Sequence, residues 1–404
     1  MEMSLELPTT VPKKNTGNNI FSSVLSMAFI LLGVVVSIAL KFKPSLVLHV
    51  PRYGYLLWAL AFVGTIPPYY DSGCYMHKHS FEWLHNNDVI VSAAAKSGAT
   101  WMLYCSHTIR SKRVSKEGFL PDFVDPNYNT PWPEFIQNPG DNWKNQLLGE
   151  YSKPPLKDYW DHPNYPFRIF KSHNGPHIFQ HDHLIAPALD NSKGYYSGYK
   201  RNTFGRNNKI KVKFVAMVRN GLDQAESMVP FFQEQHKDDF ISRWGGYPPK
   251  SSFTKLQDMM PGGTLEDLYF DYVNEWWDVR HHDNVLLLHY TDAIKDLNKT
   301  VSKLSKFYDI ELTTEEQEDV VQKCSFKYMK EQKGKFDYKL PALKGYDGSQ
   351  TVFKSNSLLR KGTVGEGSKY FTEEEKETWK QWEETKFGVD EAKLRWARQG
   401  GDFE

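Results

Sequence analysis

Short apolar runs alternate along this chain with stretches in which apolar residues recur every three or four positions. "DVIVSA" (88–93), "FRIFK" (167–171), "KVKFVAMV" (211–218) and "NVLLLHY" (284–290) have the length and apolar continuity of buried strands. A helix is predicted from about Thr100, another over "GLDQAESMVPFFQEQ" (221–235), and a third over 265–280. In the third, Leu265, Leu268, Tyr272, Trp276 and Val279 fall at helical steps. Thr313 with Glu316, and Thr372 with Glu375, have the spacing of capping boxes, so helices are expected to start there. Strands alternating with helices imply crossover connections and a parallel sheet, hence an α/β fold. The polar, Gly- and Pro-rich stretches 190–210 and 242–263 read as surface insertions, and no internal repeat is present.

The N-terminal end has a different pattern. Residues 20–40, "IFSSVLSMAFILLGVVVSIAL", contain no charge. As a helix rising ~1.5 Å per residue, this run is about 30 Å long, the thickness of a bilayer's hydrocarbon core. It is longer than the ~7–15-residue apolar segment of a signal peptide, and no small-residue cleavage site follows, so a membrane anchor is the expectation. A second apolar run, 53–70, is short for a span and leaves one or two helices open. Lys13 and Lys14 before the first run balance Lys41 and Lys43 after it, so orientation stays open as well. The expected organisation is a tail and anchor over 1–70, a catalytic domain over 80–385 and a C-terminal tail over 386–404. The expected location is an endomembrane, ER or Golgi, with the side of the domain unresolved.

Composition narrows the function classes. The 404 residues carry a formal net charge of +1, which gives no broad basic field and disfavours nucleic acid as a partner. Aromatic residues make up 15 %, enough for a large core or an apolar pocket. The three cysteines, Cys74, Cys105 and Cys324, form no CxxC pair, so neither a zinc site nor a disulfide framework is expected.

Candidate chemistry clusters where predicted strands end. After the first strand come Lys96, Ser97, Gly98 and Thr100, then an apolar helix-like stretch from Trp101. Strand, tight turn and helix N-terminus present backbone N–H groups to an anion, and the lysine and hydroxyls add donors. The order Lys-Ser-Gly differs from GxxxxGK[ST], so the frame of ATP-hydrolysing loops is absent. After the third strand, Arg219 precedes Ser227 by eight residues, a second candidate anion site. After the second, Lys171 and His173 lie two apart, on one side of an extended segment. A lysine and a histidine at the carboxyl end of a sheet suit acid–base work beside developing negative charge.

These pieces, in this order, resemble the sulfotransferases that use 3′-phosphoadenosine-5′-phosphosulfate (PAPS), most of all the cytosolic-type branch acting on small hydroxyl compounds. That branch reads YPKSGTTW, KTH, RNPKDxxxS, a YED-like turn and RKGxxGDWKNxFT. Here stand "AAAKSGATW" (93–101), "KSH" (171–173), "RNGLDQAES" (219–227), "YTD" (290–292) and "RKGTVGEGSKYFT" (360–372), over a resemblance covering about residues 80–385. The resemblance implies a P-loop-NTPase-like three-layer fold with a central parallel sheet. It implies a donor site in which Lys96, Ser97, Gly98, Ala99 and Thr100 cradle the 5′-phosphosulfate. Trp101 and Phe326 would flank the adenine, with Tyr290, Ser325 and Met329 beside it. Arg219, Ser227, Arg360, Lys361 and Gly362 would take the 3′-phosphate. His173 would be the general base on the acceptor hydroxyl, Lys96 would stabilise the leaving phosphate and Lys171 the sulfuryl group, without a metal.

The chain departs from that pattern in places. Ala94-Ala95 replace Tyr-Pro, and Ala99 replaces a threonine. In the C-terminal motif Glu366 replaces aspartate, Gly367 replaces tryptophan and Ser368 replaces lysine. Glu373 stands where the family's dimer motif has valine, so that motif is disrupted. The expected acceptor is a small hydrophobic alcohol or phenol, sterol- or lipid-like. The alternatives are a Golgi-type carbohydrate or tyrosine sulfotransferase, which use of the sequon at Asn298 would favour, and a non-catalytic nucleotide-binding membrane protein.

Overall fold

The computed structural model describes residues 84–114, 123–133, 157–176, 211–233, 256–259, 269–332 and 357–403, with a few positions before and between them. Four strands form one sheet: β1 (Val89–Ala93), β2 (Ile169–Ser172), β3 (Lys213–Val218) and β4 (Val285–His289). Their order is β2-β1-β3-β4 and every pairing is parallel. All four predicted strands are present, each a residue or two shorter than its apolar run.

The strands are largely apolar because both faces are covered. Alternation along the pleat sends successive residues to opposite sides. Ile90, Phe214, Ala216 and Leu287 belong to one core cluster, and Val89, Val91, Val215 and Met217 to the other. Against the first face lie α2 (Gly221–Gln233) and α3 (Phe270–Asp278), through Met228 and Trp276. Against the second lies α1 (Ala99–Arg110), through Met102 and Cys105. After β4 come α4 (Tyr290–Lys295), α5 (Leu297–Phe307), α6 (Thr314–Cys324) and α7 (Phe326–Glu331). Through Val301, Leu304 and Val320 they complete the same layer as α1. The C-terminal part supplies α8 (Gly367–Tyr370), α9 (Glu373–Phe387) and α10 (Glu391–Gln399). Trp379, Phe387 and Trp396 from these helices enter the first cluster. The result is a three-layer α/β/α architecture. Both capping boxes close as expected, Thr313–Glu316 at α6 and Thr372–Glu375 at α9.

Two stretches differ from expectation. Within 242–263, Leu256 and Met259 are fully buried in the first core cluster, so that stretch is anchored in the core at those points. Residues 386–404 were expected to trail as a tail. They carry α10, which docks because Trp396 and Ala397 are buried against the core. Of the apolar run 20–40, residues 27–28, 30–35 and 38–39 are helical, and Met27, Leu31 and Val35 are exposed. The rest of that run, all of 53–70 and the insertion 190–210 lie outside the described residues. Among the described residues, no helix is long and apolar enough to cross a membrane.

Candidate active site

Each strand ends in a candidate residue. β1 leads to Lys96, β2 to His173, β3 to Arg219 and β4 to Tyr290. Parallel strands bring all four carboxyl ends to one edge, and the chain leaves β1 between neighbours on either side, where open α/β sheets place ligands. A cavity of about 420 Å³ opens there. Every residue singled out from the sequence lines it except Ser97. Ser97 is buried below the surface, its N–H donating to the Ala94 carbonyl at 3.0 Å and its hydroxyl lying 3.5 Å from Gln224 Oε1. Its place is in holding the turn.

The turn itself is strained. Lys96 has φ 64° and Gly98 φ 98°, both in the left-handed region. At Gly98 a Cβ would stand 3.0 Å from the Tyr290 ring, so glycine answers both backbone and space. From Gly98 the chain enters α1, with the Met102 N–H returning to the Gly98 carbonyl at 3.0 Å. Trp101 is fixed by its indole N–H, which donates to the Cys324 carbonyl at 2.7 Å, and its ring meets Tyr290 edge-on at 5.6 Å. This ties α1 to the junction of α6 and α7. At that junction Ser325 caps α7, accepting from the Tyr328 N–H and donating to the Gln322 carbonyl. Met329 is buried beneath, and Phe326 faces Gly362 so closely that a Cβ there would lie 2.4 Å from the ring.

The basic groups converge. Lys96 Nζ stands 4.0 Å above the Phe231 ring and Lys171 Nζ 3.8 Å above the Trp132 ring. The crowding of protein around Lys96, with Arg360, Arg219 and Lys171 nearby, lowers its pKa to about 7. His173 Nδ1 lies 2.5 Å from the Ala93 carbonyl. A carbonyl only accepts, so Nδ1 carries the proton and Nε2 keeps its lone pair. Desolvation, then the Lys171 charge, lowers the His173 pKa to about 3, so the ring is neutral at physiological pH. Trp132 meets the imidazole edge-on at 4.8 Å and holds its plane.

The second candidate anion site lies between α2 and the loop before α8. Arg219 donates to the Thr363 carbonyl at 2.9 Å and to the Lys96 carbonyl at 3.3 Å, and its guanidinium stacks 4.7 Å from the Tyr290 ring centre. Its Nε is buried with no hydrogen-bond partner, and its Nη2 lies 3.9 Å from Asp223 Oδ2. Asp223 accepts from the Gly365 and Gly367 N–H groups, at 2.8 Å each, and so clamps the loop 360–367 onto α2. Gly367 sits where a Cβ would lie 2.3 Å from the Leu222 carbonyl carbon, which accounts for glycine where the resembling motif has tryptophan. Sequence reasoning passed over Asp223, Phe231 and Glu226. Glu226 left a signal, an acid inside an anion-binding motif, and Arg360 and Lys361 both bind its carboxylate.

The chain is similar to known sulfotransferases. Residues 202–390 match the family described as sulfotransferase domain. A 3-alpha-hydroxysteroid sulfotransferase of Cavia porcellus is 26 % identical over 288 residues, covering 71 % of this chain and 79 % of that protein. A sulfotransferase 2A1 of Rattus norvegicus is 31 % identical over 166 residues, covering 40 % of this chain and about half, 52 %, of that protein. Among solved structures, a mouse sulfotransferase SULT7A1 complexed with PAP aligns with a TM-score of 0.47 at 18 % identity, over 80 % of this chain and 94 % of that one. The chain thus carries a match to the sulfotransferase domain over residues 202–390 and is similar to PAPS-dependent sulfotransferases over 71 % of its length.

Proposed function

We propose that this protein transfers a sulfuryl group from PAPS to the hydroxyl of a small hydrophobic alcohol or phenol, with His173 as general base. The observation that carries this reading is the convergence of Lys96, Lys171, His173, Arg219, Arg360 and Lys361 on one cavity. The residues present fit the donor. Arg219 Nε is a buried donor without a partner, and the turn at Lys96 presents a basic cradle at the head of α1. Lys96, Gly98, Ala99 and Thr100 would hold the 5′ end of the nucleotide, and Arg219, Ser227, Arg360, Lys361 and Gly362 the 3′-phosphate. Trp101, Tyr290, Ser325, Phe326 and Met329 form the wall for the base. When bound, the donor supplies an electrophilic sulfuryl group on a phosphate leaving group.

The chain's own residues do the rest. His173 Nε2 accepts the acceptor's hydroxyl proton while Nδ1–H stays on the Ala93 carbonyl, which fixes tautomer and orientation. Lys171 and Lys96, each held against an aromatic face, aim positive charge at the oxygens where negative charge develops. The remaining wall, with Phe231, Ile294, Leu297 and Leu358, is apolar and suits a sterol- or lipid-like acceptor. Two relatives from Cavia porcellus are a 3-alpha- and a 3-beta-hydroxysteroid sulfotransferase, which supports the same class. The uncharged run 20–40 supports anchoring at an endomembrane, where such acceptors partition.

The test is transfer of 35S from labelled PAPS to a panel of sterols, phenols, glycans and tyrosine peptides. The expected result is labelling of sterols or phenols, and a fall in kcat of about 10²–10⁴-fold in His173→Ala with little change in the donor KM. Labelling confined to glycans or peptides overturns the acceptor class. Unchanged kcat in His173→Ala overturns the base.

A further inference from the structure

Inside the second anion site stands an acid. Glu226 lies on α2 one residue before Ser227, at a position that the pattern RNPKDxxxS leaves open. Its side chain is 4 % exposed and lines the cavity together with Arg219 and Ser227. Both basic residues of the C-terminal motif are bound to it. Arg360 Nη2 donates to Glu226 Oε2, and Lys361 Nζ donates to Oε1 at 3.1 Å. Lys361 is also held by Glu366 at 2.9 Å. Burial by itself would raise the Glu226 pKa, but Arg360 and Lys361 hold it below the usual carboxylate range, so the group is an anion at neutral pH.

The carboxylate therefore occupies the place on Arg360 and Lys361 that a phosphate would take, with two oxygens on two cations. A nucleotide's 3′-phosphate entering beside Arg219 meets cations already neutralised and a negative charge in the subsite. For it to bind, Glu226 must turn away or share its partners, and the cost falls on the 3′-phosphate alone. The 5′ end is held about the Lys96 turn, and Glu226 hydrogen-bonds none of Lys96 to Thr100.

We propose that Glu226 sets the specificity of the 3′-phosphate subsite, acting as a built-in anion on Arg360 and Lys361 that lowers the preference for nucleotides carrying a 3′-phosphate over those with a 5′-phosphate only. This rests on the donor reading above. It makes the chain more tolerant of adenosine 5′-nucleotides than its basic residues alone would allow. Glu226 acts through its two partners, so it is a positioning residue, not a catalytic one.

The experiment is calorimetry on the full-length chain in mild detergent, with adenosine 3′,5′-bisphosphate and adenosine 5′-monophosphate as probes. In Glu226→Gln, which keeps shape and removes charge, the affinity ratio of bisphosphate to monophosphate is expected to rise at least about tenfold, carried by the bisphosphate. Glu226→Asp is expected to restore the ratio toward wild type, which a merely structural role would not do. Glu226→Ser carries the same expectation as Glu226→Gln and decides the matter should that variant not fold. An unchanged ratio with the bisphosphate still bound overturns this proposal and leaves the donor reading standing. A lower bisphosphate affinity in Glu226→Gln also overturns it, since Glu226 would then be an organiser of the subsite. Failure of the wild type and the variants to bind either nucleotide overturns both.

Discussion

Lys96 combines two costs that ordinary surface lysines avoid. Its backbone is left-handed at φ 64°, worth about 1–3 kcal/mol for a residue with a Cβ, and its ammonium is surrounded by protein and by other cations. The neighbours that hold the turn, the Ala94 carbonyl on Ser97 N–H and the Arg219 guanidinium on the Lys96 carbonyl, are parts of the same site. With a pKa of about 7, Lys96 is largely neutral at pH 8 in the ligand-free protein. An anionic nucleotide favours the charged form, so it raises that pKa and binding draws in a proton. At pH 8, calorimetry of adenosine 3′,5′-bisphosphate in buffers of different ionisation enthalpy is therefore expected to show uptake of about one proton, and affinity is expected to weaken as pH rises beyond 7. Lys96→Met is expected to abolish the uptake. A heat of binding independent of the buffer in the wild type would remove Lys96 from the anion's contacts. His173 does not share this dependence, because its pKa of about 3 lies far below the range.

At the scale of elements, local signals were legible and long-range pairings were not. The four strands stood out because each carries a short, mainly apolar run, and both capping boxes because their spacing is local. Thr372 Oγ1 accepts from the Glu375 N–H, and the Glu375 carboxylate accepts from the Thr372 N–H, closing α9 at its first turn. Thr372→Ala is expected to cost about 1 kcal/mol and to lower Tm by a few degrees, with nucleotide affinity unchanged. A shift in affinity would mean that α9 is coupled to the loop 360–367 just before it. Helix α10 was hidden because "EAKLRWARQ" is more than half polar or charged, and one tryptophan with one alanine anchors it. The meeting of Glu226 with Arg360 spans 134 residues, and no periodicity reports a contact of that range. The motifs foretold which strand ends carry donors. They did not foretell that an acid from α2 would reach the C-terminal motif, because the open positions of a motif are filled by neighbours that only the fold supplies.

Across the whole molecule, the sheet is held between two apolar clusters, and the described residues of both start no earlier than Leu84. Three histidines buried or half-buried in this body are kept neutral. His107 lies on α1, His173 follows β2, and His289 ends β4. His289 joins the sheet to the C-terminal helix, its Nε2 facing the Ala397 carbonyl at 3.2 Å while Nδ1 accepts from the Thr291 N–H at 3.3 Å. Desolvation lowers its pKa from 6.5 to about 4. Above pH 6.5 the ring is neutral both folded and unfolded, and the full stability is present. Below that the unfolded chain takes up a proton that the folded ring refuses until about pH 4, so stability drains away across this window. For His289 alone the loss amounts to roughly 3 kcal/mol at most, 1.36 kcal/mol for each pKa unit. Thermal melts between pH 7 and pH 4.5 are expected to show a falling Tm. His289→Gln, which removes the titrating ring, is expected to flatten that slope while lowering Tm at pH 7, where its contact with α10 is weakened. A slope the same in both proteins would mean that acid acts elsewhere, and that the link from β4 to the C-terminal helix is not where this fold yields first.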